Sequence, residues 1–193
     1  MIYTTKIKDA IKFSIKTHEV YQKQKRKGKD IAYITHPLTV GLILAHAGAH
    51  EDVIIAGILH DTVEDSTEEK KVTVQMLEER FGTRVAELVL SVTEQNRMRT
   101  WDEVKKEALD HIAHFSNDSL LVKSADIISN TSELIDDYVK DGENIFDRFA
   151  TSKEKFLAHQ IALIRAITLA WPENPLIKNL TYNAVHMERM RTA

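Results

Sequence analysis

A histidine and three carboxylates follow an apolar run in this 193-residue chain. They are His60, Asp61, Glu64 and Asp65. Residues four apart share a face of a helix, so one helix over residues 52–65 would place His60 over Glu64 and Asp61 over Asp65. The residues before His60 are apolar, which indicates burial, and an unpaired carboxylate in an apolar interior is costly. The stretch therefore predicts a helix whose polar end opens into a cleft with metal-binding and acid–base groups.

Two other predicted helices offer ligands of the same kind. His36 lies where a helix is expected to start, with Thr35 as its cap. Asp126 is the one acid in the apolar segment 120–130, and a buried acid needs a cation, hydrogen bonds or a metal ion as its partner. Two imidazoles and two carboxylates suit Mn²⁺ or Fe²⁺, and less typically Zn²⁺. The expected metal ligands are His36, His60, Asp61 and Asp126, and the alternative is a structural ion-pair cluster that joins three helices.

Further polar residues would act beside such a site. Glu64 and Asp65 would activate the attacking water or protonate the leaving group of a phosphoryl substrate. Asn130, on the same helix as the buried acid, would hold a substrate oxygen. The basic run over residues 22–30 is either a solvated loop or an anion clamp in which Arg26 binds a phosphate through two N–H groups.

Composition favours one all-α domain over residues 1–193. The chain is 43% hydrophobic and 28% charged, which is typical of a soluble globular protein of this length. Six glycines and three prolines are too few for the turns of a β-sandwich or barrel. Helices are predicted over residues 4–22, 35–47, 52–65, 74–81, 85–93, 101–115, 120–130, 145–171 and 174–189, with a mobile loop at 94–100 and an acidic loop at 136–144.

Charge and cysteine content exclude several classes of protein. The net charge of −3 argues against nucleic acid as a partner. The chain has no cysteine, so disulfides and thiolate metal ligands are excluded. The charged N-terminal residues do not fit a signal peptide, and no apolar run approaches the length of a membrane span. We expect a cytoplasmic protein with no membrane partner, and the sequence leaves formation of a homo-oligomer open.

The order His36, His60-Asp61 and Asp126 resembles the HD superfamily of metal-dependent phosphohydrolases. The sequence around these residues is similar to that of the hydrolase domain of RelA/SpoT proteins. It resembles most the stand-alone small alarmone hydrolases of that family. This likeness covers about residues 5 to 135. It rests on Arg26-Lys27-Gly28, Tyr33-Ile34-Thr35-His36-Pro37, Leu59-His60-Asp61-Thr62-Val63-Glu64-Asp65, Phe81-Gly82, Val92-Thr93, Leu121-Val122-Lys123-Ser124-Ala125-Asp126 and Asn130.

The resemblance implies a single HD-type helical bundle that removes the 3′-pyrophosphate of (p)ppGpp, giving GDP or GTP and pyrophosphate. It implies one Mn²⁺ ion on the four ligands named above. By the same resemblance, Glu64 and Asp65 handle the catalytic water. Arg26, Lys27 and Asn130 would contact the small-molecule nucleotide substrate.

The sequence departs from the usual family sequence in three places, of which the last lies near the expected nucleotide. Ala32 replaces the usual proline before the tyrosine, and the spacing from Gly28 to Tyr33 is longer than in the bifunctional enzymes. Thr131-Ser132-Glu133 stands where the family tends to have Leu-Arg-Thr or Leu-Arg-Asp. Two alternatives therefore stay open. One is hydrolysis of another nucleotide phosphate, such as a deoxynucleotide or the 2′-phosphate of NADPH; the other is a non-catalytic nucleotide-binding regulatory module.

Overall fold

The computed structural model describes residues 3–94 and 100–192, and within these ranges the chain folds as helices joined by connections, of which residues 22–34 contain the basic run. The α-helices are α1 (Thr5–Ile15), α2 (Thr35–His46), α3 (Glu51–Leu59), α4 (Thr62–Asp65), α5 (Val74–Phe81), α6 (Thr83–Val92), α7 (Trp101–Ile112), α8 (Asn117–Asp141), α9 (Lys153–Ala170) and α10 (Ile177–Thr192). A π-helical turn, Lys16–Tyr21, continues α1, and 3₁₀ segments span Glu68–Lys70 and Gly142–Arg148. The prediction of an all-α fold is confirmed. No described helix has both the length and the apolarity to cross a membrane.

Helix α3 lies in the core and packs against α1, α2, α6 and α8. Its residues 53–59 are all buried. The contact with α2 is unusually close, because a Cβ atom added to Gly57 would lie 2.2 Å from Cδ1 of Leu44. Only a residue without a side chain allows the two backbones to approach in this way. The close contact brings the first turn of α2, which carries His36, beside the end of α3, which precedes His60.

The helix predicted over residues 52–65 is interrupted at His60 and Asp61, so the prediction of one continuous helix is wrong. Helix α3 ends at Leu59, immediately before this pair, and α4 begins at Thr62, immediately after it. Asp61 has φ −92° and ψ −5°, and the chain turns there. A continuous helix would direct adjacent side chains about 100° apart. The turn instead brings Nε2 of His60 within 3.1 Å of Oδ2 of Asp61.

Helix α8 continues through most of the acidic segment 136–144, so the loop predicted there is wrong. The negative charge is offset by cations from elsewhere in the chain. Asp137 lies 2.6 Å from Nζ of Lys29 and 2.8 Å from Nη2 of Arg148. The helix ends where Gly142 adopts φ +65°, in the left-handed region that glycine enters without strain.

The long helix predicted over residues 145–171 starts later than expected. Its first part is the 3₁₀ segment, and α9 begins only after Ser152, whose hydroxyl accepts a hydrogen bond from the backbone N–H of Lys155 (3.3 Å). Serine caps a helix in this way because its oxygen satisfies an N–H that has no partner within the helix. Helix α9 ends before Pro172, as predicted.

Two other predicted helix starts can be compared with the structure. Helix α5 begins at residue 74 as predicted, and Thr73 caps it by accepting a hydrogen bond from the N–H of Met76 (3.2 Å). Thr35 is instead the first residue of α2, and its hydroxyl donates to the carbonyl oxygen of Ala32 (2.8 Å). Residues 95–99 of the predicted mobile loop lie outside the described residues.

Candidate metal centre and adjoining pocket

Four side chains from α2, from the turn between α3 and α4, and from α8 converge at one point. Nε2 of His36 lies 3.2 Å from Nε2 of His60. Oδ2 of Asp61 lies 3.6 Å from the first of these nitrogens and 3.1 Å from the second. Oδ1 of Asp126 lies 3.4 Å and 3.9 Å from them. The structure thus brings together all four residues that the sequence proposes as metal ligands.

The remaining ring nitrogens of the two histidines hold the imidazoles in place. Nδ1 of His60 lies 2.8 Å from the carbonyl oxygen of Gly57, which can only accept, so the proton resides on Nδ1. Nδ1 of His36 lies 3.0 Å from the hydroxyl oxygen of Ser129. Contacts of this kind leave the opposite nitrogen, Nε2, directed toward the carboxylates, as is usual for histidines that bind metals.

The convergence creates a strongly coupled electrostatic centre. Burial by itself lowers the pKa of His60, but the carboxylates of Asp61 and Asp126 outweigh it and raise that pKa to about 9. Burial likewise opposes ionisation of Asp61, yet the two imidazoles bring its pKa well below the ordinary value. For Asp126, burial is overcome by Lys123 and by the histidines, and its pKa is also well below the ordinary value. Both carboxylates are therefore ionised and attract cations.

The donor set fits a divalent metal ion. His36, His60 and Asp126 each offer one ligand atom, and these three atoms lie within 4.8 Å of one another. Two imidazole nitrogens that face each other at 3.2 Å need a proton or a cation between them. Imidazole nitrogen combined with carboxylate oxygen is the ligand chemistry of Mn²⁺, Fe²⁺ and Zn²⁺ sites. The cluster thus has the ligand chemistry of a divalent-metal site.

A cavity of about 260 Å³ opens beside the cluster, and Glu64 lines it. The Glu64 carboxylate accepts a hydrogen bond from the backbone N–H of Glu94 (3.1 Å). A carboxylate in this cavity is within reach of water that enters it. Glu64 therefore lines the same cavity as the four candidate ligands.

Asp65 faces a different set of partners. Its Oδ2 accepts a hydrogen bond from Nε2 of Gln24 (2.8 Å), and Oε1 of the same amide lies 2.8 Å from Nδ1 of His18. His18 is fully buried, and burial lowers its pKa. The neutral ring donates its Nδ1 proton to Gln24 and thereby orients the amide. Asp65 is thus fixed to the connection before α2, and it does not line the metal cavity as Glu64 does.

Three basic side chains in the metal cavity are not identified as site residues from the sequence. Lys123 donates to Oδ2 of Asp126 (2.9 Å), and Lys105 donates to Oε1 of Glu94 (2.6 Å). His159 on α9 has its pKa lowered to about 4, by burial and by the two lysines, and is neutral near pH 7. The sequence carried a signal only for Lys123, which precedes the acid by one helical turn. The others reach the cavity through the packing of α7 and α9.

A second cavity, of about 360 Å³, adjoins the metal cavity. Its walls include Arg26, Lys27 and Asn130, the three residues proposed from the sequence to bind substrate. Tyr33 and Asn130 line both cavities. The second cavity is named here the basic pocket, because five cationic side chains line it: Lys25, Arg26, Lys27, Lys29 and Arg148.

Hydrogen bonds connect the basic pocket to the candidate metal ligands. Nη2 of Arg26 donates to Oδ1 of Asn130 (2.8 Å), and Nδ2 of Asn130 donates to Oδ1 of Asp126 (2.7 Å). The Tyr33 hydroxyl donates to the carboxylate of Asp61. A ligand that binds in the basic pocket therefore contacts residues that also hold the metal ligands.

The loop that carries the basic run is ordered by its own backbone. An isolated antiparallel bridge pairs Lys25 with Ala32, and the N–H of Tyr33 donates to the carbonyl of Gln24 (2.9 Å). Gly28 turns the chain at φ +72°. The run is thus a structured wall of the basic pocket, which supports the anion-clamp interpretation over that of a solvated loop.

The sequence comparisons agree with this fold and this metal site. A family model described as the HD domain matches residues 10–153. The chain therefore belongs to the HD-domain family of phosphohydrolases, and the resemblance drawn from its motifs is confirmed.

The chain is also similar to individual proteins whose activity is named. Over 133 residues the chain is 34% identical to the guanosine-3′,5′-bis(diphosphate) 3′-pyrophosphohydrolase MESH1 of Danio rerio. The aligned residues cover 68% of this chain and 70% of that protein. It is 37% identical over 118 residues to a guanosine-3′,5′-bis(diphosphate) 3′-pyrophosphohydrolase of Aquifex aeolicus, covering 60% of this chain and 16% of that longer protein. A solved structure of a metazoan ortholog of SpoT, described as hydrolysing ppGpp, superposes with a TM-score of 0.75 at 20% identity over 98% of this chain and 97% of that one. This last similarity shows a shared fold.

Proposed function

We propose that this protein hydrolyses the 3′-pyrophosphate of guanosine alarmones, converting (p)ppGpp to GDP or GTP and pyrophosphate with Mn²⁺ as its metal ion. The observation that carries the proposal is the continuity of the metal cavity with the basic pocket through Tyr33 and Asn130. Such a site suits a substrate that has a reacting phosphoryl group at one end and further phosphates at the other. The relatives named for this reaction support the same substrate.

In this proposal His36, His60, Asp61 and Asp126 hold the metal ion. A divalent ion bound there would act as a Lewis acid. It would lower the pKa of water and offset negative charge on the phosphoryl group. The ionised state of both aspartates supports this assignment, because carboxylate ligands bind metals when deprotonated. The hydrogen bonds on Nδ1 of the histidines fix the rings in the orientation that ligation requires.

Glu64 is assigned the transfer of a proton from the attacking water. The water oxygen forms a bond to the phosphorus attached to O3′, the P–O3′ bond breaks, and O3′ leaves with a proton as the hydroxyl of GDP or GTP. Asp65 is assigned a supporting part in handling this water, through the turn that it shares with Glu64. Its hydrogen bond to Gln24 supports a positioning contribution.

Arg26, Lys27 and Asn130 are assigned to the nucleotide in the basic pocket. Arg26 offers a planar fork of N–H donors, which suits phosphate oxygens. Lys105 and Lys123 line the metal cavity and would offset the charge of the departing pyrophosphate. The substrate would then meet cations on both sides of the bond that breaks.

The direct test incubates the purified protein with ppGpp and Mn²⁺ and quantifies GDP and pyrophosphate by anion-exchange chromatography. We expect equal amounts of the two products. The matched control is Asp61→Asn, which keeps the side-chain shape and removes a charged ligand; we expect its rate to fall by about 100-fold or more. Turnover that does not exceed that of this variant, in protein that binds Mn²⁺, would contradict the proposal.

A substrate panel addresses the alternatives. Thr131 and Glu133 line the basic pocket within the segment that departs from the family wording, and this observation favours testing other nucleotides. Release of orthophosphate from NADPH, or of phosphates from a deoxynucleotide, in preference to pyrophosphate from ppGpp, would replace the alarmone. Tight nucleotide binding without any product would support a regulatory module instead.

A further inference from the structure

Glu133 is a carboxylate inside a pocket whose other charged walls are cationic. It lies on α8, seven positions after the metal-site residue Asp126 and three after Asn130. These spacings place the three side chains along one side of the helix. Glu133 therefore lies on the same stretch of wall that leads from the metal cavity into the basic pocket.

The contacts of Glu133 are those that a phosphate would make. Nε and Nη2 of Arg26 both donate to its Oε2, at 2.9 Å and 2.7 Å. Nζ of Lys29 donates to its Oε1 at 2.5 Å. The guanidinium fork and an ammonium group together form a binding arrangement that serves carboxylate and phosphate alike. A phosphate group can take these donors only by displacing Glu133 or by sharing them with it.

The other cations of the pocket are largely neutralised as well. Lys29 and Arg148 share Asp137, and Lys25 pairs with Asp30. Among the described residues, Lys27 is the one cation of the five without an ion pair, and it lies over the ring of Phe149 at 5.5 Å. The pocket is thus far less positive than its count of lysines and arginines indicates.

We propose that Glu133 is a specificity-determining residue that limits how many phosphates the basic pocket accepts, so that the protein favours nucleotides with few 5′-phosphates over those with many. This inference rests on the proposed function in one respect: it assumes that the 5′-phosphates of the nucleotide enter the basic pocket. Each added phosphate brings negative charge toward a carboxylate that already occupies the guanidinium fork. In a pocket without that carboxylate, each added phosphate would strengthen binding instead.

The test measures the affinity of GMP, GDP and GTP by calorimetry, first in chelator, so that no phosphate binds a metal ion, and then with Mn²⁺. For the wild-type protein we expect GTP to bind no more tightly than GMP. For Glu133→Gln, which keeps the shape and removes the charge, we expect GTP to bind about ten-fold more tightly than to wild type and GMP to change by less than about three-fold. The gain for GTP should shrink at high salt, because screening weakens charge repulsion.

The matched control is Glu188→Gln. Glu188 also joins two cations, with Oε1 3.0 Å from Arg165 and Oε2 2.8 Å from Arg191, and it lies on α10 outside both cavities. We expect it to leave all three affinities within about two-fold of wild type. A general effect of removing a bridging carboxylate would appear in both variants.

Three results would overturn the inference. The first is a wild-type protein that binds GTP at least ten-fold more tightly than GMP, a measurement that needs no variant. The second is an equal change for all three nucleotides in Glu133→Gln. The third is a loss of guanosine nucleotide binding in that variant with adenosine nucleotides unaffected, which would make Glu133 a reader of the base. If ppGpp is not hydrolysed, the proposed function fails, while these affinities still decide the contribution of Glu133.

Discussion

Nδ1 of His60 donates a hydrogen bond to the carbonyl oxygen of Gly57, 2.8 Å away and in the last turn of α3. Gly57 therefore serves the metal site in two ways. Its carbonyl orients the imidazole, and its missing side chain admits Leu44 of α2, whose Cδ1 would lie 2.2 Å from an added Cβ. Packing of the core and direction of a candidate ligand thus depend on the same residue.

Gly57→Ala is expected to destabilise the protein by about 1–3 kcal/mol, because the added methyl group overpacks the contact between α2 and α3. The shift of the backbone should also misdirect His60 and weaken metal binding by about 10-fold or more. Urea denaturation measures the first effect, and titration with Mn²⁺ measures the second.

A double-mutant cycle with Leu44→Ala separates overpacking from other effects of the substitution. Leu44→Ala alone should cost about 2–5 kcal/mol, because it leaves a cavity. In the double variant the methyl group of alanine occupies part of that cavity, so the combined cost should be less than the sum of the single costs. Additive costs would show that the close approach does not limit the residue at position 57.

Metal binding should stabilise the folded protein, and this effect should require Asp126. Mn²⁺ at about 100 times its dissociation constant is expected to add about 2.7 kcal/mol to the free energy of unfolding. Asp126→Asn should abolish most of this gain. His111→Ala is the matched control, since His111 is an exposed histidine paired with Glu107 and should leave the gain unchanged. Equal stabilisation of Asp126→Asn and wild type, followed by thermal unfolding, would place the metal elsewhere.

His159 predicts a specific loss of stability in acid. Burial and the nearby Lys105 and Lys123 lower its pKa to about 4 in the folded protein, against about 6.5 in an unfolded chain. Between these values the unfolded chain binds more protons, so the contribution is complete above about pH 6.5 and is lost as pH falls toward 4.

His159→Gln should therefore flatten part of this dependence. Comparing urea unfolding at about pH 7.5 and pH 5, we expect the variant to lose about 1 kcal/mol less than wild type, allowing for solvent that screens the ring. Parallel losses in the two proteins would show that the imidazole titrates normally.

Glu64→Gln is expected to lower kcat on ppGpp by about 10²–10⁴-fold while metal affinity and KM change little, because the amide cannot accept the proton of water. Asp65→Asn should have the smaller effect on kcat, since its carboxylate contacts Gln24 and does not line the metal cavity. Steady-state kinetics on both variants decide the order, and a larger loss for Asp65→Asn would reverse the two assignments.

The convergence of the four candidate ligands could be predicted because such residue types are rare on apolar helices and because they recur in an order typical of a family. His60 and Asp126 both follow apolar residues, so the sequence indicates that they are buried and need partners. The supporting residues could not be predicted in the same way. Lys105 and His159 reach the cavity only through the packing of α7 and α9, and no local pattern marks either residue.

Errors in the helix prediction arose where distant contacts override local preference. Asp137 lies in a segment whose acidity is typical of a loop, but Lys29 and Arg148 neutralise it and α8 continues. Neither His60 nor Asp61 is a glycine or proline, and the chain nevertheless turns there so that both side chains reach one point. Neither ion pairs over long sequence separations nor convergence on a common ligand leaves a periodic signal in the sequence.

The continuous run of α8 from Asp126 to Glu133 sets the distance between the two ends of the site. Seven residues at 1.5 Å each give about 10 Å along the helix axis, and the rise per residue cannot be adjusted. Single substitutions along this run change the side chains that a ligand contacts. They do not change the length that a ligand needs to reach both ends of the site. Insertion or deletion of one residue would rotate every later side chain by about 100°, carrying Glu133 away from Arg26, so evolution can alter chemistry here far more readily than length.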